Sequence, residues 1–124
     1  MKKEYTTELN QEEKFILQDK GTEKPFSGKY NDHYDQGIYS CKACGLKIFE
    51  SNSKFNSGCG WPSFDDCIES AVTRKRDTSL GRIRTEILCS RCEGHLGHVF
   101  EGEKFTTKNS RYCVNSLSLK FIKK

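Results

Sequence analysis

The stretch Arg111-Tyr112-Cys113-Val114-Asn115-Ser116-Leu117-Ser118-Leu119-Lys120-Phe121-Ile122 alternates. Leu117, Leu119 and Phe121 fall at one parity, and Ser116, Ser118 and Lys120 at the other. A period of two belongs to a β-strand with one buried face, so this run predicts a strand over 111–122. Extended backward in register, the buried face takes in Arg111, Cys113 and Asn115. Polar groups on such a face are costly unless they are paired or put to use, and their combination predicts a site on this strand.

Working outward, residues 37–40, 47–49, 71–76 and 82–88 form short apolar or alternating runs between Gly, Asn and Ser, which reads as further strands. Residues 8–20, ELNQEEKFILQDK, differ: acids come early and Phe15-Ile16-Leu17 sits in the middle. This segment predicts one short helix stopped by Gly21. The fold class is therefore mainly β with a short N-terminal helix. A length of 124 residues with no repeat, low-complexity tract or linker predicts one domain, 1–124. Eight Phe, five Tyr and one Trp are too many for a disordered chain. The first ten residues lack an apolar signal region and nothing approaches the ~20 apolar residues of a membrane span, so the expectation is a soluble, cytoplasmic protein without a membrane partner. The net charge of +4 is spread among acids and points to solubility more than to nucleic acid.

Seven cysteines divide into two CxxC pairs, Cys41/Cys44 and Cys89/Cys92, and three others, Cys59, Cys67 and Cys113. Two such pairs can present four thiolates to one Zn²⁺, and Gly45 follows Cys44 where a knuckle needs positive φ. Residues 45–88 between the pairs exceed the ~15–20 of a compact zinc ribbon. The metal is thus expected to clip two distant segments of one β domain in a structural role. The competing reading, a thioredoxin-like dithiol, lacks a surrounding βαβ pattern.

Cys113 shares its strand face with Arg111 and Asn115, and a nearby guanidinium favours thiolate; the alternative is an inert cysteine packed as a small apolar group. Cys59 lies in Ser57-Gly58-Cys59-Gly60-Trp61-Pro62-Ser63, a tightly turned loop expected to be exposed, where a thiol can resolve an oxidised partner or do nothing. Cys67 follows two aspartates that oppose its ionisation, which favours no task. His95 and His98, in Glu93-Gly94-His95-Leu96-Gly97-His98-Val99-Phe100, are proton-donor candidates or merely hydrogen-bonded groups. Thr73-Arg74-Lys75-Arg76 with Arg82 and Arg84 is the best nucleic-acid candidate, but no aromatic residues interleave with it, and a solvated hairpin is the simpler reading.

With SGCGWPSF at 57–64, GHLGHVF at 94–100, RYCVNS at 111–116, the 21–26 segment GTEKPF and both CxxC pairs in place, the chain from about Leu9 to Lys123 resembles the B-type methionine sulfoxide reductases. The resemblance implies two antiparallel sheets, structural zinc on Cys41, Cys44, Cys89 and Cys92, and reduction of methionine (R)-sulfoxide in oxidised proteins, a repair activity under oxidative stress. It also implies Cys113 as nucleophile, Cys59 as the resolving cysteine of a redox-active disulfide, and thioredoxin as reductant of a monomer. Trp61 matches the floor for the sulfoxide's methyl group, and His95, His98, Arg111 and Asn115 match the polar lining beside Phe100. Glu101-Gly102-Glu103 departs from the two aspartates and Gly-Pro of many relatives, which leaves open what acid supports the histidines. The readings that compete with this one are a zinc-stapled nucleic-acid or protein binding module without catalysis, and a thiol peroxidase or redox sensor using Cys113 and Cys59.

Overall fold

In a computed structural model describing residues 1–124, nine strands follow a short helix, α1 (Gln11–Leu17). They are β1 (Gly37–Cys41), β2 (Lys47–Glu50), β3 (Lys54–Phe55), β4 (Ser63–Phe64), β5 (Val72–Asp77), β6 (Arg84–Cys89), β7 (His95–Glu101), β8 (Ser110–Val114) and β9 (Leu119–Lys123). One antiparallel sheet has the order β2-β1-β9 and the other β3-β4-β8-β7-β6-β5. The expectation of a mainly β fold with two antiparallel sheets and one short helix holds.

The strand expected over 111–122 is two strands in different sheets. A 3-10 turn at Ser116–Ser118 separates β8 from β9 and shifts the phase of the alternation. Tyr112 and Val114 are the core residues of β8, so Arg111 and Cys113 sit on its other face, and Ser116 and Ser118 are buried rather than solvated. Short-range alternation could not reveal this, because the polar residues are buried by distant partners. The Glu23 carboxylate accepts from the backbone N–H groups of Ser116 (2.9 Å) and Leu117 (3.1 Å), and the Ser118 hydroxyl donates to the His95 carbonyl at 2.9 Å. Each buried polar atom there has a partner, which removes the desolvation cost.

Helix α1 is shorter than the expected 8–20. Asn10 starts it with a capping box, its side chain accepting from Glu13 N–H (2.8 Å) while its own N–H donates to the Glu13 carboxylate (2.9 Å). Only Ile16 and Leu17 are deeply buried, and Lys20 already has a φ of 59°, so the chain has left the helix before Gly21. The two sheets meet over aromatic side chains: Phe49 stacks on Phe64 with centroids 4.2 Å apart, and Tyr39 meets Phe64 edge-on at 5.1 Å.

Candidate active site and metal centre

The two knuckles have the same backbone geometry. The N–H of Gly45 donates to the Cys41 carbonyl and that of Glu93 to the Cys89 carbonyl, both at 2.9 Å, and both residues have positive φ (81° and 64°). The turns end β1 and β6, one strand from each sheet, and bring their four sulfurs within 4.8 Å of one another. The Sγ separations are 3.6 Å for Cys41–Cys92 and 3.5 Å for Cys44–Cys89. A tetrahedron of sulfurs about 2.3 Å from zinc has edges of about 3.8 Å, so the donor set fits Zn²⁺ in both chemistry and size. This is a structural zinc site: all four ligand positions come from the protein and none of the four cysteines lines the cavity described next.

That cavity, about 270 Å³, opens on β7 and β8 and collects the other residues singled out from the sequence. Cys113, Arg111 and Asn115 reach it from β8 and its end, His95, His98 and Phe100 from β7, and Cys59 and Trp61 from the loop before β4. His98 and Cys113 are direct cross-strand partners, which puts their side chains on one face. A Cβ at Gly97 would collide with the Cys113 carbonyl oxygen, so β7 approaches β8 this closely only because residue 97 is glycine.

Gly58 and Gly60, with φ of 77° and 96°, turn the Cys59 loop back over β8. The loop is half-buried rather than exposed, and the Cys59 and Cys113 sulfurs stand 3.8 Å apart. The two thiols titrate as a unit, and one ionises readily while the other resists. Cys59 is drawn down to about 4 by the hydrogen bond from Cys113, with the hydroxyls of Ser57 and Ser63 assisting. Cys113 is pushed up by the same bond, then by burial and by the charge on Cys59, while Arg111 pulls it down. The pair thus carries one negative charge at neutral pH. Removing Cys59 removes the largest cause that holds Cys113 protonated, so in Cys59→Ser the rate of Cys113 alkylation by iodoacetamide should rise at a lower pH than in the wild type. A profile displaced upward would contradict this electrostatic reading.

Each histidine is tethered by a carboxylate that the sequence reading did not find. His95 Nδ1 donates to Glu86 at 2.7 Å, and His98 Nε2 donates to Asp77 at 2.8 Å. Burial drives His95 toward its neutral form, partly offset by Glu86. Asp77 is held well below the usual carboxylate range, first by His98 and then by the Ser79 N–H. The departure at Glu101-Gly102-Glu103 left open which acid supports the histidines, and the supporting acids come from the neighbouring hairpin. The available signal was the alternation of β6, which places Glu86 directly across from His98. Glu103 has a different task, gripping Arg111 through Nε (2.7 Å) and Nη2 (3.1 Å) while Phe100 stacks on the guanidinium at 4.5 Å.

Trp61 is fixed by its Nε1–H, which donates to the Glu23 carbonyl at 3.0 Å, and Asn115 accepts from the Glu23 N–H at 3.0 Å. Asn115 also donates to the Leu96 carbonyl at 3.2 Å, so it secures the cavity wall as well as lining it. Glu23 is a third residue missed, after Glu86 and Asp77; only its place in the 21–26 segment hinted at it. Cys67 lies 3.8 Å from the Tyr112 hydroxyl, on the face of β8 opposite Cys113, and its thiol is pushed up by burial and by Asp66.

The family model described as the SelR domain matches residues 9–123. The chain belongs to the B-type methionine sulfoxide reductases. It is 49% identical to "Peptide methionine sulfoxide reductase MsrB" of Bradyrhizobium diazoefficiens over 94% of this chain and 84% of that protein. It is 51% identical to "Peptide methionine sulfoxide reductase B2, chloroplastic" of Arabidopsis thaliana over 95% of this chain, but spans only 58% of that longer protein. "Methionine-R-sulfoxide reductase B1" of Drosophila melanogaster is 46% identical over 86% of this chain and 57% of its own length. Among solved structures, the "Mis18 'Yippee-like' Domain" superposes with a TM-score of 0.55 over 73% of this chain and 98% of its own, at 21% identity, a likeness of fold alone.

Proposed function

We propose that this B-type reductase, acting as one domain over residues 1–124, returns methionine (R)-sulfoxide to methionine, with oxidised proteins as its substrates. The observation that carries the reading is the pair of sulfurs 3.8 Å apart in a small cavity shared by Trp61 and two carboxylate-tethered imidazoles. The names of the relatives support both the reaction and, for the fly protein, the R epimer.

Once an imidazole has taken its proton, Cys113 attacks the sulfoxide sulfur as a thiolate, forming a sulfur–sulfur bond while a proton goes to the sulfoxide oxygen. Because His95 and His98 each give one nitrogen to a carboxylate, the other nitrogen can take the thiol proton and pass it on, His98 donating with His95 in support. Glu86 and Asp77 stabilise the transient imidazolium. The oxygen then passes as hydroxyl to the Cys113 sulfur, the methionine sulfur's bonds to oxygen and to Cys113 both break, methionine leaves with the freed electron pair, and Cys113 is left as a sulfenic acid. Cys59 attacks that sulfur, forming a disulfide and releasing the oxygen as water. A thioredoxin dithiol then reduces the disulfide by exchange and becomes oxidised in turn. Trp61 receives the methyl group, and Arg111, clamped by Glu103 and Phe100, keeps positive charge near Cys113.

We place the enzyme in the cytoplasm as a monomer, where reducing conditions keep both zinc thiolates and redox thiols available. No helix is long and apolar enough to cross a membrane. In the nucleic-acid alternative Trp61, both histidines and Cys113 have no task, and two of the hairpin's arginines are already paired, Arg74 with Glu101 and Arg84 with Asp77.

Two predictions separate the thiols. Cys59→Ser should release one equivalent of methionine per chain and then stop in a thioredoxin-coupled assay. Cys67→Ser should keep thioredoxin-linked turnover within about twofold of wild type, since its thiol lies behind the sheet. Sustained turnover in the first variant would point to Cys67 or to direct reduction of the sulfenic acid, and loss of turnover in a folded second variant would select Cys67.

A further inference from the structure

The hairpin of β5 and β6 carries a second hollow, about 590 Å³, that shares Thr22, Arg84, His95 and His98 with the sulfoxide cavity. Its wall holds four cations, Lys20, Lys75, Arg76 and Arg84, against two acids, Asp77 and Glu86. Both acids are committed: Asp77 bonds to His98 and Arg84, and Glu86 to His95 and Lys20. Lys75 and Arg76 make no ion pair, and neither does Arg82 at the rim of the sulfoxide cavity.

The pairing register puts one of these free cations in line with the chemistry. Lys75 stands opposite Glu86, Glu86 opposite His98, and His98 opposite Cys113, a single row across four strands with all side chains on one face. Three strand spacings of about 4.8 Å set the Lys75 and Cys113 backbones roughly 14 Å apart, which an extended peptide at about 3.4 Å per residue covers in about four residues.

We infer that this hollow is a subsite for the acidic side chains of a substrate protein, so that methionine sulfoxides flanked by Asp or Glu about three to five residues away are reduced preferentially. The inference rests on the sulfoxide reductase reading and adds a substrate preference to it. The surplus cations attract carboxylates without taking part in the reaction, so the preference belongs in KM rather than in kcat.

The test uses three blocked peptides of equal length, each with one central methionine (R)-sulfoxide and with Glu, Gln or Lys at the third and fourth positions on both sides. At low ionic strength the Glu peptide should show a KM about two- to fivefold below the Gln peptide, the range of an exposed ion pair, with similar kcat. The Lys peptide should be the poorest, and the differences should shrink as salt is added. Lys75→Glu should cancel or reverse the order of the three KM values. Lys47→Glu, which makes the same charge change on the exposed β2, should leave the order intact. Equal KM values for the Glu and Gln peptides in the wild type, or the same loss of preference in both variants, would overturn the subsite. Failure to reduce any of the three peptides would overturn the reductase reading, and the subsite with it.

Discussion

Cys113→Ser is expected to lower turnover of methionine (R)-sulfoxide by at least about a thousandfold, the scale on which loss of an attacking group is felt in covalent catalysis. A serine hydroxyl in the same place has no accessible anion and is a poor nucleophile toward sulfur, and no second thiol can substitute. Cys59 lacks the cross-strand placement against His98, and Cys67 is on the wrong face of β8. Cys113 is only half-buried and the change conserves shape, so the melting temperature should stay within a few degrees of wild type. The assay is release of methionine from N-acetylmethionine (R)-sulfoxide with dithiothreitol as reductant, alongside a thermal melt. Activity within tenfold of wild type in the folded variant would remove Cys113 from the centre of the chemistry.

The second large effect concerns the metal. A structural zinc on thiolates is worth on the order of 10–16 kcal/mol in small domains, comparable with the whole 5–15 kcal/mol stability of an ordinary fold. Here it joins the ends of β1 and β6 and so ties the two sheets together, and Cys41, Cys89 and Cys92 are themselves buried in the core. Stripping zinc with a strong chelator, or introducing Cys89→Ser, should therefore unfold the domain. The readouts are loss of near-ultraviolet circular dichroism, stoichiometric zinc release, and recovery when zinc is restored to the chelated protein. A metal-free preparation that keeps its tertiary signal and its activity would contradict the structural role.

Much of this was legible in the residues themselves. The CxxC spacing announced the metal centre because the ligands of each knuckle are local. The same locality made β1, β2, β5 and β6 readable, since each is a run bounded by its own turn residues. The region 111–122 misled because its serines are buried by bonds to Glu23 and His95, partners 93 and 23 residues away. Asp77 and Glu86 escaped notice for a related reason. A carboxylate across a sheet from its histidine has no fixed spacing to it, so only the pairing register reveals the tether. Tertiary contact also separates Cys67 from Cys59, the first meeting Tyr112 and the second Cys113 on opposite faces of β8, which residue spacing alone does not indicate.

In this reaction the oxygen atom passes from the substrate to Cys113, and trapping it there is the most direct test. Cys59→Ser is mixed with one equivalent of blocked methionine (R)-sulfoxide and quenched with dimedone, and the adduct is located by peptide mass spectrometry. The prediction is one dimedone group per chain, on Cys113, matched by one equivalent of methionine. Methionine formed with Cys113 unmodified, or with the adduct on Cys67, would contradict it.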